Sequence, residues 1–277
     1  MSFYTSLSGL KNAQTGLGVT ANNIANAETL GFKKSRTLFS DLVTGNNPKM
    51  QLGIGSTVQS ITQNQSMGPI EQTGGALDLA INGEGFFTKK NPISGETMYT
   101  RSGAFSVDDE GFVKDGVGNR LQIFEQPASP AVIDPSTDTP VDLQLPKDNS
   151  HFTPAPTTPA AFAGVTLAND GTIKVSYADG SNETLGKVAL AQFSAADGLR
   201  QTGSSNWVAT GLSGEPEYGL PGAGIYGGLS SGSLERSNVD ITEELVGLIT
   251  MQRYFQANAK AIDTASQISQ TVLNLRT

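Results

Sequence analysis

Apolar residues near each end of the chain recur at alternating spacings of four and three. That pattern commits two long segments to helices that bury a stripe along their length. Towards the start the seam runs Phe3, Leu7, Leu10, Gln14, Leu17, Ala21 and Ile24. Towards the end it runs Ile241, Leu245, Leu248, Gln252, Phe255, Ala259 and Ile262, then shifts phase by one residue and continues as Ile268, Val272 and Leu275. Everything between reads as β-structure. The expected fold class is therefore α+β: long N- and C-terminal helices forming a coiled coil, with a central antiparallel all-β body. Amphipathic helices ordinarily pack on their own domain. The length of these two, and their place at the ends, point instead to a subunit that joins its neighbours through them.

Local signals support both helices. Residues 2–27 read as the first, with Ser2 as a cap and Asn22, Asn23, Asn26 and Gly31 at its fraying end. Gly9, Gly16 and Gly18 each weaken it by roughly 1 kcal/mol relative to Ala, so it needs partners to become ordered. The second starts at Asp240, a good cap, with Glu243 three residues on in a capping-box arrangement. Extending to residue 275, it would be about 50 Å long, more than a modest β body can cover.

The middle of the chain has period two. Leu77, Leu79 and Ile81 alternate with Asp78 and Ala80, and Asn82-Gly83 is a strong hairpin dipeptide before Phe86-Phe87. Phe105 and Val107 lead into the acidic turn Asp108-Asp109-Glu110-Gly111, and Leu121 and Ile123 alternate with Arg120 and Gln122. Residues 127–159 hold eight of the 13 prolines and read as an extended connector. Strands resume around Val165, Ile173 and Val188, with turns at Asn169-Asp170-Gly171 and Ala178-Asp179-Gly180. Residues 203–232 are Gly-rich and expected to be loop, apart from a short strand at Trp207. The expected division is a helical domain of 1–32 with 238–277, a connecting region of 33–70 with 203–237, and a β-rich outer domain of 71–202.

Chemistry is hard to find in these 277 residues. There is no cysteine, hence no disulfide, thiolate nucleophile or thiolate metal site. The one histidine, His151, lies in the Pro-rich connector, where a solvated side chain is its ordinary role. No nucleophile elbow, P-loop or dinucleotide fingerprint is present. Asp108, Asp109 and Glu110 lack the alternation of an EF-hand loop and read as a solvated turn. No catalytic, cofactor-binding or metal-binding residue is expected. A glycan-cleaving enzyme using Asp108 or Glu110 is the alternative from another class, and nothing in their spacing favours it. The net charge of -8 argues against nucleic acid or an anionic membrane surface as the partner. No basic and apolar leader and no run long enough to span a bilayer is visible, so neither a cleaved signal peptide nor membrane insertion is expected.

Several motifs resemble those of one family, the axial proteins of the bacterial flagellum. Leu7-Ser8-Gly9-Leu10, Asn22-Asn23-Ile24-Ala25-Asn26 and Gly31-Phe32-Lys33 resemble its N-terminal signature. The stretches 73–87 and Tyr99-Thr100-Arg101-Ser102-Gly103-Ala104-Phe105 resemble two internal ones. Residues 231–240, with Asn238 and Asp240, and 252–259, with Gln252 and Asn258, match the C-terminal signature. The resemblance implies that Phe3, Leu7, Leu10, Leu17, Ile24, Ile241, Leu245, Leu248, Phe255, Ile262, Val272 and Leu275 pack between subunits of a helical tube. It further implies export through the flagellar type III apparatus. Rod, hook-cap and hook–filament junction proteins are the implied partners. Within the family, Ser237-Asn238-Val239-Asp240, Gln256-Ala257-Asn258-Ala259 and Val272-Leu273-Asn274-Leu275-Arg276 are more like the hook subunit. So is the short connector before Gln51-Leu52-Gly53, where distal-rod subunits usually carry an insertion. The chain length is more like a distal-rod subunit, which is the alternative.

Overall fold

The computed structural model describes residues 2–44, 52–126, 133–135, 138–148 and 160–274. Most of the Pro-rich connector, with His151, lies outside them, as does Leu275, and Ser2 is described by its backbone alone. The chain divides into two compact units.

The first unit comprises residues 1–27, 33–64 and 239–277. It holds helix α1 (Ser2–Ala25), strands β1 (Ser35–Thr44) and β2 (Leu52–Gln63), and helix α2 (Ile241–Asn274). The helices run antiparallel. A Cβ placed on Gly9 would meet Asn258 Oδ1 at 2.7 Å, and one on Gly16 would meet Met251 Sδ at 3.0 Å. One on Gly247 would touch Thr20 Cγ2 at 4.0 Å, and Asn23 Nδ2 donates to Glu244 at 3.1 Å. Steps of seven, four and three along α1 are thus matched by equal steps backwards along α2. The seam closing the pair is Gly9, Ala13, Gly16, Thr20 and Asn23, displaced by one residue from the apolar seam. Small side chains let the two backbones approach, and two of the three glycines that weaken an isolated α1, Gly9 and Gly16, are used by the contact, while Gly18 faces open space.

Strands β1 and β2 form an antiparallel ribbon with register shifts at Leu38/Phe39 and Leu42/Val43. Asn12 Nδ2 donates to Ser56 Oγ at 2.7 Å, and Asn23 grips the ribbon's base, exchanging two 2.9 Å bonds with the Ser35 backbone. Asp240 caps α2 by accepting from the N–H groups of Thr242 (2.8 Å) and Glu243 (3.2 Å). The Glu243 carboxylate accepts from Lys34 Nζ at 3.0 Å.

The second unit comprises residues 28–32 and 65–238. Its strands are β3 (Ile70–Gln72), β4 (Leu79–Asn82), β5 (Phe86–Lys90), β6 (Thr97–Thr100), β7 (Ser106–Val107), β8 (Val113–Lys114), β9 (Arg120–Glu125), β10 (Val141–Asp142), β11 (Phe162–Leu167), β12 (Thr172–Tyr177), β13 (Asn182–Val188), β14 (Leu190–Gln192), β15 (Arg200–Gly203), β16 (Asn206–Val208), β17 (Glu217–Gly219), β18 (Gly228–Ser231) and β19 (Ser233–Glu235). The main sheet runs β11-β12-β13-β9-β5-β6-β16-β15, every pairing antiparallel. Alternation puts Phe87, Leu121, Ile123, Ile173, Val175, Val188 and Leu190 into one core. Phe86, Tyr99, Phe193 and Trp207 pack edge-to-face in a second.

Two expectations change, and one strand had no specific signal. Asn82-Gly83 does not turn a hairpin: β4 pairs with β18, and Gly83 (φ 129°) lets the chain pass Gly227, whose Cα a Cβ would meet at 2.8 Å. The Gly-rich segment 203–232 carries β16, β17 and β18, because its glycines sit at turns and close approaches and not throughout. Residues 35–44, with no assigned element in the sequence, form β1, whose pattern of Thr37, Phe39 and Leu42 is too irregular to read against its two register shifts.

Four sequence motifs converge on one buried ion pair. Arg101 is 1 % exposed and Glu235 0 %. The guanidinium donates to Glu235 Oε2 at 3.4 Å and to the Gly83 carbonyl at 2.8 Å, and lies 5.3 Å from the centre of the Phe86 ring. Glu235 Oε1 accepts from the Gly68 N–H at 2.9 Å, and its backbone carbonyl accepts from the Gly31 N–H at 2.9 Å. Gly31 presses on the Arg101–Ser102 backbone so closely that a Cβ would meet Ser102 N at 2.5 Å.

Two predictions follow from this unit and the helix cap. Removing one member of a buried pair strands the other, so Arg101→Met should cost about 3–5 kcal/mol of β-body stability, and adding Glu235→Gln should recover part of it. Urea unfolding followed through Trp207, the single tryptophan, measures both. The N–H groups of Glu243 and Thr242 hold the Asp240 carboxyl below its ordinary value. Its cap is then fully present above the usual carboxylate range and lost as pH falls through the depressed value. The amide resonances of Thr242 and Glu243 should titrate with a midpoint below that of an unperturbed aspartate, and Asp240→Ala should abolish that step.

Candidate assembly interface

Helix α2 is the exposed element of the first unit. At 34 residues it is about 50 Å long, and none of its described residues is fully buried. Its antiparallel register with α1 runs out near residue 265, so Ile268, Val272 and Leu273 stand exposed beyond it. Along the paired length, Leu248, Phe255 and Ile262 are half-buried beside α1. Ile241 and Leu245 are 44 % and 46 % exposed, and Val246 and Ile249 extend them into an apolar stripe next to the helix contact. On α1, Leu7, Leu10, Leu17 and Ile24 are half-buried, flanking the small-residue seam, while Phe3 is exposed. The ribbon adds Phe39, Leu42, Val43, Leu52, Ile54 and Ile61 to the apolar surface. Exposed apolar residues grouped in this way make these faces the candidate interaction surface. Among the described residues no helix is long and apolar enough to cross a membrane.

The motif residues take distinct places. Asn23 is buried and joins α1, α2 and the ribbon through the bonds described above. Asn22 is exposed; its carbonyl accepts from Asn26 Nδ2 at 2.9 Å, finishing α1. Gly31 and Phe32 are buried in the second unit. There Asn238 Nδ2 donates to the Ser66 carbonyl at 3.0 Å. Asn258 lies against Gly9 and donates to the Tyr254 carbonyl at 2.8 Å. Gln252 is exposed. Arg101, Glu235 and Gly83, which tie the motifs together, carried no signal as a set, because pairing over 134 residues has no local pattern. No group of acidic or histidine side chains able to hold a metal ion occurs among the described residues.

Three segments of the chain match family models. Residues 3–33 match the model of the flagella basal body rod protein family. Residues 80–175 match that of the flagellar hook protein FlgE/F/G D1 domain, and residues 230–275 that of the flagellar basal body rod FlgEFG protein C-terminal region. The chain is 34 % identical to the flagellar basal-body rod protein FlgG of Bacillus subtilis over 290 aligned positions, covering 99 % of this chain and 98 % of that one. It is 31 % identical to FlgG of Caulobacter vibrioides, covering 98 % of both chains. It is 28 % identical to the flagellar hook protein FlgE of Salmonella typhimurium over 408 positions, covering the whole of both. With its motifs, its exposed helical stripe and these relatives in agreement, the chain belongs to the flagellar hook and rod axial protein family.

Proposed function

We propose that the chain polymerises into a helical tube of the bacterial flagellum whose α1–α2 pairs line an export channel, and that this tube is the hook. The observation that carries polymerisation is the unpartnered apolar stripe of α2, Ile241, Leu245, Val246 and Ile249, with its continuation in Ile268 and Val272. A second copy of the chain, presenting the flanks of its own α1, offers the matching surface in Leu7, Leu10, Leu17 and Ile24. The role is mechanical and not enzymatic: subunits exchange slightly different contacts as the tube turns and so pass torque from motor to filament.

The hook reading rests on the short connector between Asp41-Leu42-Val43 and Gln51-Leu52-Gly53 and on the C-terminal motifs. It places the tube outside the cell, with rod, hook-cap and hook–filament junction proteins as partners and the type III apparatus as the exit route. A distal-rod role is the second reading. The higher identity to a rod-named relative favours it, as does an alignment of 290 positions there against 408 with the hook protein.

Immunogold electron microscopy of detached hook–basal bodies, with antibody against residues 160–230, separates the two. Label along the curved segment supports the hook, and label confined to the straight shaft supports the rod. Leu245 is exposed in the single chain, so Leu245→Asp should leave both units folded yet abolish polymerisation, because the tube would bury an unpaired carboxylate. Sedimentation of polymer, with circular dichroism of the soluble fraction, measures this; wild-type tubes from the variant would overturn the assignment of this stripe.

A further inference from the structure

The second unit buries a lysine, an aspartate and an asparagine against one another, away from the Arg101–Glu235 pair. Lys89 on β5 is 1 % exposed. Its Nζ lies 2.5 Å from Asp115 Oδ2 and 2.6 Å from Asn206 Oδ1. Strand alternation sets Asn206 and Lys89 on the face opposite Trp207 and Phe86. The order β5-β6-β16 puts them two strands apart, across β6. Asp115 is immobilised by its own turn: Oδ1 accepts from the N–H groups of Val117 and Asn119, both at 2.9 Å, and Oδ2 accepts from Asn119 Nδ2 at 3.1 Å.

Asn206 is positioned with equal care. It follows a two-residue turn in which Ser204 and Ser205 both adopt left-handed backbone (φ 51° and 54°) without being glycine. Such strain persists only where the surroundings impose it. Here Ser205 Oγ donates to the Leu30 carbonyl at 2.9 Å, and Thr100 Oγ1 donates to the Ser205 carbonyl at 2.6 Å. A pocket of about 300 Å³ lined by Ser102, Ser204 and Ser205 reaches Lys89 and Asp115, leaving a route for a small product.

A primary amine held beside a carboxamide, with a carboxylate in contact with the amine, is a complete set for transamidation. We propose that Lys89 and Asn206 join in an intramolecular isopeptide bond once the chain has folded, with Asp115 as the proton relay. Asp115 takes a proton from the Lys89 ammonium. The freed Nζ lone pair attacks Asn206 Cγ, forming the C–N bond. The Cγ–Nδ2 bond then breaks as Asp115 returns its proton to Nδ2, and the leaving ammonia carries away the proton that Nζ loses, departing as ammonium. Nothing is oxidised or reduced and no co-reactant is needed. Burial lowers the affinity of Lys89 for its proton, which favours the first step, although the charge of Asp115 opposes that shift. The bond would close a loop over 117 residues and clamp β16 to β5. The reaction needs no cysteine, and its three groups, from three separate segments of the chain, meet only when it is folded.

Denaturing mass spectrometry of the full chain, aged at neutral pH, tests the bond. The expected intact mass is one ammonia below that of the sequence, and a digest should give a branched peptide joining the segments that contain Lys89 and Asn206. Asn206→Ala should show the mass of its own sequence with linear peptides. Asp115→Ala should slow the loss of ammonia at least tenfold while Trp207 fluorescence reports the fold. A wild-type mass equal to the sequence overturns the proposal and leaves a non-covalent ion pair. An ammonia loss mapped to any asparagine without a branch also overturns it.

Discussion

The buried Arg101–Glu235 pair is the contact on which the second unit depends. A guanidinium and a carboxylate removed from water are costly unless their remaining hydrogen-bonding groups are satisfied. Here the Gly83 carbonyl takes a bond from Arg101 Nη1 and the Gly68 N–H gives one to Glu235, with the Phe86 ring beside the guanidinium, while Arg101 Nε is buried without a partner among the described residues. The pair therefore fixes main chain as well as side chains. Gly31, hydrogen-bonded to the Glu235 carbonyl, brings in the segment that follows α1, so four motif regions meet around one pair. Their wide separation along the sequence is what a single three-dimensional constraint looks like when unrolled.

The first unit obeys a different logic. Its helices meet over glycine, alanine, threonine and asparagine, which bring backbones close but bury little apolar area. The larger apolar residues lie to either side of that seam. A pair built this way leaves part of its hydrophobic surface facing outwards. That property suits a subunit completed by its neighbours and would be a liability in a protein that works alone.

How much of this was legible follows from where the information sits. The extent of α2 was readable because Asp240 caps it locally, and the antiparallel β class was readable from period-two runs such as Leu79–Ile81. The seam joining α1 to α2 was not, because Gly9, Gly16 and Asn23 leave no hydropathy signal; the visible stripe lies one residue away and stays half-buried or exposed. Asn82-Gly83 misled because a turn dipeptide carries no information about β18, far along the chain. The Arg101–Glu235 and Lys89–Asp115–Asn206 clusters were invisible for the same reason: ordinary charged and polar residues acquire meaning only from what the fold sets beside them.

The paired ribbon of β1 and β2 has a mechanical consequence. Each of its two register shifts is a point where the ladder is already interrupted and the local twist is high, so the ribbon yields there to bending. Sliding one strand along the other is a separate matter: both defects would have to move in concert, and each single-residue step would invert every side chain. The element is soft to flexure and stiff to shear.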